Sequence, residues 1–339
     1  MKLLPKKKVE DALDHLKQST EVYAPILRGP NTGFFKWGAD PDFDDLVLDD
    51  LNTYLSPKQA LLPQTQSMYR FKTEGKDASI TAVADDFKES VVFGVRPCDL
   101  KAVEALDQVF LTKGFVDEFY QKKRDKTTIV ANACYKGGPK CFCESMGVDR
   151  LNPSSADVLI HEIEDRGWAW EPKTEKGQKL TEQLASFLEE AGEVKMPHFF
   201  EQKKKVNIEG LPDLMRANFE SKLWEDLAER CLTCGVCTNV CPSCYCFDVQ
   251  VTNWGNEGYR FRCWDSCMYR EYSNMAGGHN PRDQKKERFR NRFLHKLEFF
   301  NERYGTPLCT GCGRCIVMCP VQVNILEVID KVREAGANG

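Results

Sequence analysis

Apolar and polar residues follow the pattern of an α/β protein through the first part of the chain. Three short apolar runs rich in β-branched residues predict buried strands, at residues 91–95, 127–133 and 157–163. After the first strand, Asp99 is expected to cap a helix with one apolar face. A further amphipathic helix is predicted over residues 179–192. Strands that alternate with helices favour a mainly parallel sheet.

The last part of the chain shows helical spacing instead. Apolar residues recur every three or four positions over residues 211–230 and 282–305, and both helices lead toward groups of cysteines. Residues 201–212 are polar, lysine-rich and contain Gly and Pro, as is typical of a linker. We therefore expect an α/β domain over residues 1–205 and a mainly helical domain over residues 206–339.

Composition excludes several classes of protein. The chain is 42% hydrophobic and 29% charged, which supports folded cores and argues against disorder. No apolar run approaches the roughly 18 residues that a membrane-spanning helix needs, and the lysines near the N-terminus precede no apolar segment of a secretory signal. The net charge of −4 does not favour nucleic acid. A cytoplasmic protein without membrane insertion or a nucleic-acid partner is expected.

Cysteine is the unusual component, with 16 residues in the chain. In a cytosolic protein such a number indicates metal or redox chemistry rather than disulfides. Two runs have the spacing C-x2-C-x2-C-x3-C-P, which is typical of ferredoxins with two iron–sulfur clusters. Their members are Cys231, Cys234, Cys237 and Cys241 in the first run, and Cys309, Cys312, Cys315 and Cys319 in the second.

The two runs predict an interlocked pair of [4Fe–4S] clusters, because the fourth cysteine of such a run ligates the other cluster. The first cluster is assigned to Cys231, Cys234, Cys237 and Cys319, and the second to Cys309, Cys312, Cys315 and Cys241. Each fourth cysteine is expected to begin a helix. Zinc sites or disulfides are the alternative, but zinc usually takes paired cysteines with a long gap between the pairs. The long separation of the runs favours a helical two-cluster ferredoxin-like domain with a large insertion.

Four cysteines in the first part suggest a third site. Cys98 follows the first predicted strand and Cys134 follows the second, so both are expected at the same edge of a parallel sheet, where ligand sites form. Residues 137–139 (Gly-Gly-Pro) let the chain turn so that Cys141 and Cys143 can close the site. A third [4Fe–4S] cluster on these four cysteines is expected. A structural zinc ion and four unligated cysteines are the alternatives.

Four more cysteines lie near the first run: Cys244, Cys246, Cys263 and Cys267. Buried thiols commonly serve as packing residues, and we expect that role here, with cluster tuning or a redox-active pair as alternatives. The basic stretch over residues 282–296 is expected to be a solvated helix face, with docking of an acidic partner as the alternative.

Several segments closely resemble the iron–sulfur beta subunit of cytoplasmic sulfhydrogenases. They equally resemble the iron–sulfur subunit of anaerobic sulfite reductase and the dicluster subunits of flavin oxidoreductase–heterodisulfide reductase systems. The segments are SPKQALLPQ, FGVRPCDLKAVEALD, CFCESMG, CPSCYCFD, WDSCMYREYSNMAGGHNPR, RNRFLHK and CTGCGRCIVMCPV. The resemblance covers nearly the whole chain. It departs at Cys263, where a non-cysteine residue is expected before WDSC.

The resemblance implies an electron relay between two other subunits. One is an NAD(P)H-oxidising flavoprotein, and the other is a terminal catalytic subunit of the hydrogenase, sulfite reductase or heterodisulfide reductase type. The chain carries no G-x-G-x-x-G, G-x-x-x-x-G-K-[ST] or H-E-x-x-H motif, so a non-catalytic relay subunit of an oxidoreductase complex is favoured. A catalytic subunit that reduces substrate at a cluster with an open iron site is the alternative. A regulatory iron–sulfur sensor is less favoured, since the chain lacks a DNA-binding helix pair and a basic surface.

Overall fold

This computed structural model describes residues 1–40, 45–82 and 87–337. The strands of these residues form two separate sheets. In chain order the strands are β1 (Lys2–Pro5), β2 (Glu21–Arg28), β3 (Asn31–Lys36), β4 (Asp45–Leu46), β5 (Thr65–Glu74), β6 (Asp77–Ala82), β7 (Ser90–Val95), β8 (Thr127–Asn132), β9 (Val158–Ile163), β10 (Gly167–Pro172), β11 (Glu189–Glu190), β12 (Phe247–Trp254) and β13 (Glu257–Trp264). The α-helices are α1 (Val9–Leu16), α2 (Lys58–Leu61), α3 (Pro97–Leu111), α4 (Glu118–Asp125), α5 (Glu175–Gln183), α6 (Leu211–Ala217), α7 (Leu223–Ala228), α8 (Val236–Asn239), α9 (Lys285–Leu294), α10 (Phe300–Tyr304), α11 (Arg314–Val317) and α12 (Ile325–Ala337). A π-helical turn (His295–Phe299) joins α9 to α10. No helix among these residues is long and apolar enough to cross a membrane.

The larger sheet has the strand order β11-β1-β10-β9-β8-β7-β2-β3, with β4 paired to β2. Its centre is parallel, from β9 through β8 and β7 to β2, and contains all three strands predicted from the sequence. The strand pairs on either side of this centre are antiparallel. Two of them, β2–β3 and β9–β10, are short hairpins, a connection that allows only antiparallel pairing. The sheet is therefore mixed, with a parallel core.

Apolar side chains cover both faces of this sheet, which explains why its central strands read as continuous apolar runs. On one face, Leu13 of α1 and Leu180 of α5 pack against Phe93 and Val130. On the other face, Leu106 of α3 packs in a second core cluster with Val92 and Ile129. The loops after β7 and β8 both leave the sheet at the carboxyl ends of these neighbouring parallel strands.

Two expectations about helices in the first part are wrong in detail. The helix predicted over residues 179–192 begins earlier, where Thr174 accepts a hydrogen bond from the Gly177 amide, and ends at Gln183. Glu189 and Glu190 then pair with β1 as an edge strand. Asp99 does not cap a helix: α3 begins at Pro97, and the Asp99 carboxylate is buried in an ion pair.

The helix predicted over residues 211–230 is two helices, α6 and α7. The helical pattern is interrupted between them, where the Asn218 carbonyl accepts hydrogen bonds from the Ser221 amide and the Trp224 indole. The helix predicted over residues 282–305 forms as α9, the π turn and α10. Phe289, Phe293 and Leu297 on this segment pack in the core of the second part.

A second, antiparallel sheet has the order β12-β13-β5-β6. Its two hairpins come from distant parts of the chain: β5–β6 lies in residues 65–82, and β12–β13 lies in residues 247–264. The prediction of a mainly helical second domain is not confirmed, because it includes this long hairpin. The division at residue 205 stays a prediction.

Candidate metal centres

Three cysteines of the first run share a cavity with the last cysteine of the second run. Its thiols belong to Cys231, Cys234, Cys237 and Cys319, and Cys315 also lines it. Backbone amides already point at two of these sulfurs: Thr233 N lies 3.4 Å from Cys231 Sγ, and Val323 N lies 3.2 Å from Cys319 Sγ. The structure thus brings together the four cysteines predicted for the first cluster.

The second cavity contains the complementary set. It is lined by Cys309, Cys312, Cys315 and Cys241. Cys315, Arg292 and Ile325 line both cavities, so the two are neighbours separated by single side chains. Within the described residues, no three His, Cys, Asp or Glu side chains converge on a point suited to a single metal ion. In each cavity three thiols of one run instead meet the fourth thiol of the other run, a ligand set suited to a group of several iron atoms.

The expectation that each fourth cysteine begins a helix is wrong. The short helices α8 and α11 contain the third cysteines, Cys237 and Cys315, and end before Cys241 and Cys319. A residue that precedes proline is disfavoured in helical conformation. Each Cys-Pro pair therefore ends its helix and sends the fourth cysteine toward the other cavity.

The four cysteines of the first part approach one another beside the second cavity. Cys98, in the first turn of α3, packs in one buried cluster with Cys143, Val148 and Cys312. Burial raises the pKa of Cys143, and Cys141 and Cys134 lie close enough to raise it further. The Cys134 thiol is only half-buried and donates a hydrogen bond to the Lys136 carbonyl at 2.7 Å.

The loop that carries Cys141 and Cys143 lies directly on the second cysteine run. The Phe142 amide donates to the Gly311 carbonyl at 2.9 Å, and the Cys141 thiol lies 3.6 Å from the Cys312 carbonyl. Gly311 has a φ of 66°, and a Cβ there would lie only 2.6 Å from Cys143 Cα. Only glycine allows this approach.

Burial strongly affects these thiols. It raises the pKa of Cys143 to about 12 and that of Cys98 well above its usual value. Buried thiols of this kind resist ionisation unless a positive charge compensates, and iron that binds them supplies that charge. The Gln202 side chain, from the predicted linker, donates to Cys143 Sγ at 3.0 Å and would remain as a hydrogen bond to the ligated sulfur.

The basic stretch at residues 282–296 is not simply a solvated face. Arg288, Arg292 and Lys296 are buried, and the last two contact the cysteine segments. They lie four residues apart, on the same side of the helix as the core residues Phe289 and Phe293. That spacing was visible in the sequence and could have identified them as inward-facing.

The remaining cysteines differ from one another in their surroundings. Cys244 and Cys267 are buried, as expected of packing residues, whereas Cys246 and Cys263 are half-buried. A hydrogen bond with Cys267 lowers the pKa of Cys246 to about 6. Cys263 lies on β13, opposite Asp248 of β12 and Thr65 of β5, and neither neighbour is a cysteine.

Comparisons with known proteins agree with this geometry. A family model described as a 4Fe-4S dicluster domain matches residues 230–323, a range that contains both cysteine runs. The protein named sulfhydrogenase 2 subunit beta from Pyrococcus furiosus is 34% identical over 331 residues, which cover 95% of this chain and 95% of that protein. No solved structure matches the chain.

Proposed function

This chain belongs to the family of the sulfhydrogenase beta subunit, and we propose that, as an iron–sulfur electron-transfer subunit, it relays electrons between two partner subunits. One partner is an NAD(P)H-oxidising flavoprotein subunit, and the other is a terminal reductase or hydrogenase subunit. The name of the relative supports the hydrogenase type among the three terminal partners considered.

The interlocked pair of cavities is the observation that carries the proposal. Each cavity takes three thiols from one run and the fourth from the other, so neither site can form without both runs. Bound [4Fe–4S] clusters supply reversible one-electron transfer. The chain holds the two sites side by side through Cys315 and lines the first with the apolar side chains of Met268, Phe289 and Phe293.

We assign a third [4Fe–4S] cluster to Cys98, Cys134, Cys141 and Cys143. The contact of Cys98 with Cys312 supports a position directly beside the second cavity. The three sites would then form a row, with the second site in the middle.

Each end of that row has a thiol that is not fully buried. At the first site Cys234 is exposed, next to the exposed side chain of Leu232. At the third site Cys134 is half-buried and adjoins an open cavity lined by Tyr135 and Lys136. A subunit that passes electrons from one partner to another needs two separate accessible ends, and this arrangement provides them.

Purification of the native chain from its own cells, under anaerobic conditions, tests the proposal. Mass spectrometry of the copurifying proteins is expected to identify a flavoprotein and a hydrogenase-type or reductase-type subunit in constant ratio to the chain. A chain that purifies alone and reduces a terminal substrate without other subunits would contradict the relay.

A further inference from the structure

Lys296 is a buried cation without an acidic partner. Its side chain is 3% exposed, and among the described residues it forms no ion pair with a carboxylate. Nζ instead lies 3.2 Å from Cys241 Sγ and 2.8 Å from Ser243 Oγ. Burial of an unpaired charge is strongly unfavourable, so the position requires a negative charge that the protein's carboxylates do not provide.

The backbone of Lys296 contacts the other segment of the second site. Its carbonyl accepts hydrogen bonds from Leu308 N at 2.9 Å and Cys309 N at 3.3 Å. This carbonyl is available because Lys296 lies in the π turn, where the helical hydrogen-bond pattern shifts. One residue therefore touches both segments that supply thiols to the second cavity: its side chain touches Cys241 and its backbone touches Cys309.

Arg292, one turn earlier, provides a comparison. Its guanidinium donates to the Cys237 carbonyl at 2.9 Å and lies 3.7 Å from Cys244 Sγ. Arg292 lines both cavities, whereas Lys296 lines the second and not the first. Lys296 thus places a positive charge beside the second site that it does not place beside the first.

From this geometry we propose that Lys296 selectively raises the reduction potential of the cluster held by Cys309, Cys312, Cys315 and Cys241. The inference rests on the proposed function, since it requires a cluster at that site. Reduction adds one negative charge to an already anionic group. A fixed cation beside a ligand sulfur therefore stabilises the reduced form more than the oxidised form. Lys296 acts through Cys241 and is therefore a positioning residue. The higher potential of this cluster favours the electron at the middle site of the relay.

The test is a potentiometric titration of the full-length, iron-loaded chain, followed by electron paramagnetic resonance. Lys296→Met removes the charge, and Lys296→Arg retains it. Lys286→Met removes a charge from an exposed position on α9, the helix that precedes the π turn. Lys296→Met is expected to shift the reduction equilibrium of one cluster about tenfold or more toward the oxidised form, which is about 59 mV for a one-electron couple. The other clusters should change less, Lys296→Arg should stay near wild type, and Lys286→Met should have no effect.

Iron content separates the possible failures. A wild-type chain without reducible clusters would refute the proposed function itself. Iron-loaded Lys296→Met with unchanged potentials, or with equal shifts in every cluster, would overturn only the role of Lys296. If Lys296→Met loses iron, Lys296→Gln is judged by the same criterion. Loss of iron from both neutral variants would also overturn the inference, because Lys296 would then be needed to hold the cluster rather than to set its potential.

Discussion

Asp99 and Arg314 form a buried ion pair that joins the two cysteine-bearing parts of the chain. The Asp99 side chain is 0% exposed and that of Arg314 is 1% exposed, with Arg314 Nη2 2.8 Å from Asp99 Oδ2. Arg314 also donates through Nε to the Thr53 carbonyl at 2.7 Å. Asp99 follows Cys98, and Arg314 lies between Cys312 and Cys315. The pair therefore holds the segment of Cys98 against the segment of Cys312 and Cys315.

Replacement of Asp99 by Asn is expected to destabilise the protein by about 3–5 kcal/mol, because it leaves the Arg314 charge buried without its partner. Anaerobic denaturation of the iron-loaded chain measures the change. The matched control is Asp283→Asn, which breaks an exposed pair with Arg270 and should cost at most about 1 kcal/mol. Equal effects of the two substitutions would show that the buried pair has no special role.

The Cys-Pro cysteines should each affect the cluster anchored by the opposite triplet. Because Cys241 lines the cavity of the Cys309 triplet, Cys241→Ser is expected to disturb that cluster and spare the one on the Cys231 triplet. Cys319→Ser should do the reverse. Paramagnetic resonance of the two variants distinguishes the clusters. Spectra in which Cys241→Ser spares the Cys309 cluster and disturbs the Cys231 cluster would refute the interlocked assignment.

Gly311 should tolerate no side chain, since a Cβ there would lie 2.6 Å from Cys143 Cα. We expect Gly311→Ala to push the Cys141–Cys143 loop away from the second run and to lower the iron content of the chain. Gly255→Ala is the matched control: it also has positive φ, but no atom lies within 4 Å of the added Cβ. It should cost only the 1–2 kcal/mol or so of left-handed backbone and keep its iron. Full iron content in both variants would contradict the close approach.

The isolated chain should carry reducible clusters yet show no NAD(P)H oxidation, because it has no flavin- or nucleotide-binding motif. Absorbance at the NAD(P)H band measures this directly. Addition of the flavoprotein subunit should restore NAD(P)H-linked reduction of the clusters. Rapid NAD(P)H turnover by the flavin-free chain alone would rule out a pure relay.

Much of the candidate site could be predicted because its ligands are encoded locally. Each triplet follows a fixed spacing, and Cys98 and Cys134 follow strands that the apolar pattern identifies. The contacts around the sulfurs could not be predicted in the same way. The spacing of Lys296 within its basic run could have placed it on the inner side of the helix. Its contacts with Cys241 and Ser243 depend on the packing of distant segments, which the sequence pattern does not show.

Contacts between residues far apart in the chain also could not be predicted from the sequence. The second sheet joins hairpins about 180 residues apart, and pairings such as Cys263 with Thr65 leave no periodic signal in the sequence. Asp99 has the position and chemistry of a helix cap, and its actual partner lies 215 residues further along the chain. Local rules identify the residue type that a position favours, whereas the partner depends on the whole fold.

The iron content of the anaerobically purified, full-length chain tests the central claim of a three-site relay most directly. Native mass spectrometry should find about twelve iron atoms per chain, four for each cluster. Cys98→Ala should retain about eight, because only the third site loses a ligand. A wild-type content of about eight iron atoms, zinc in place of the last four, or an unchanged content in Cys98→Ala would contradict the claim.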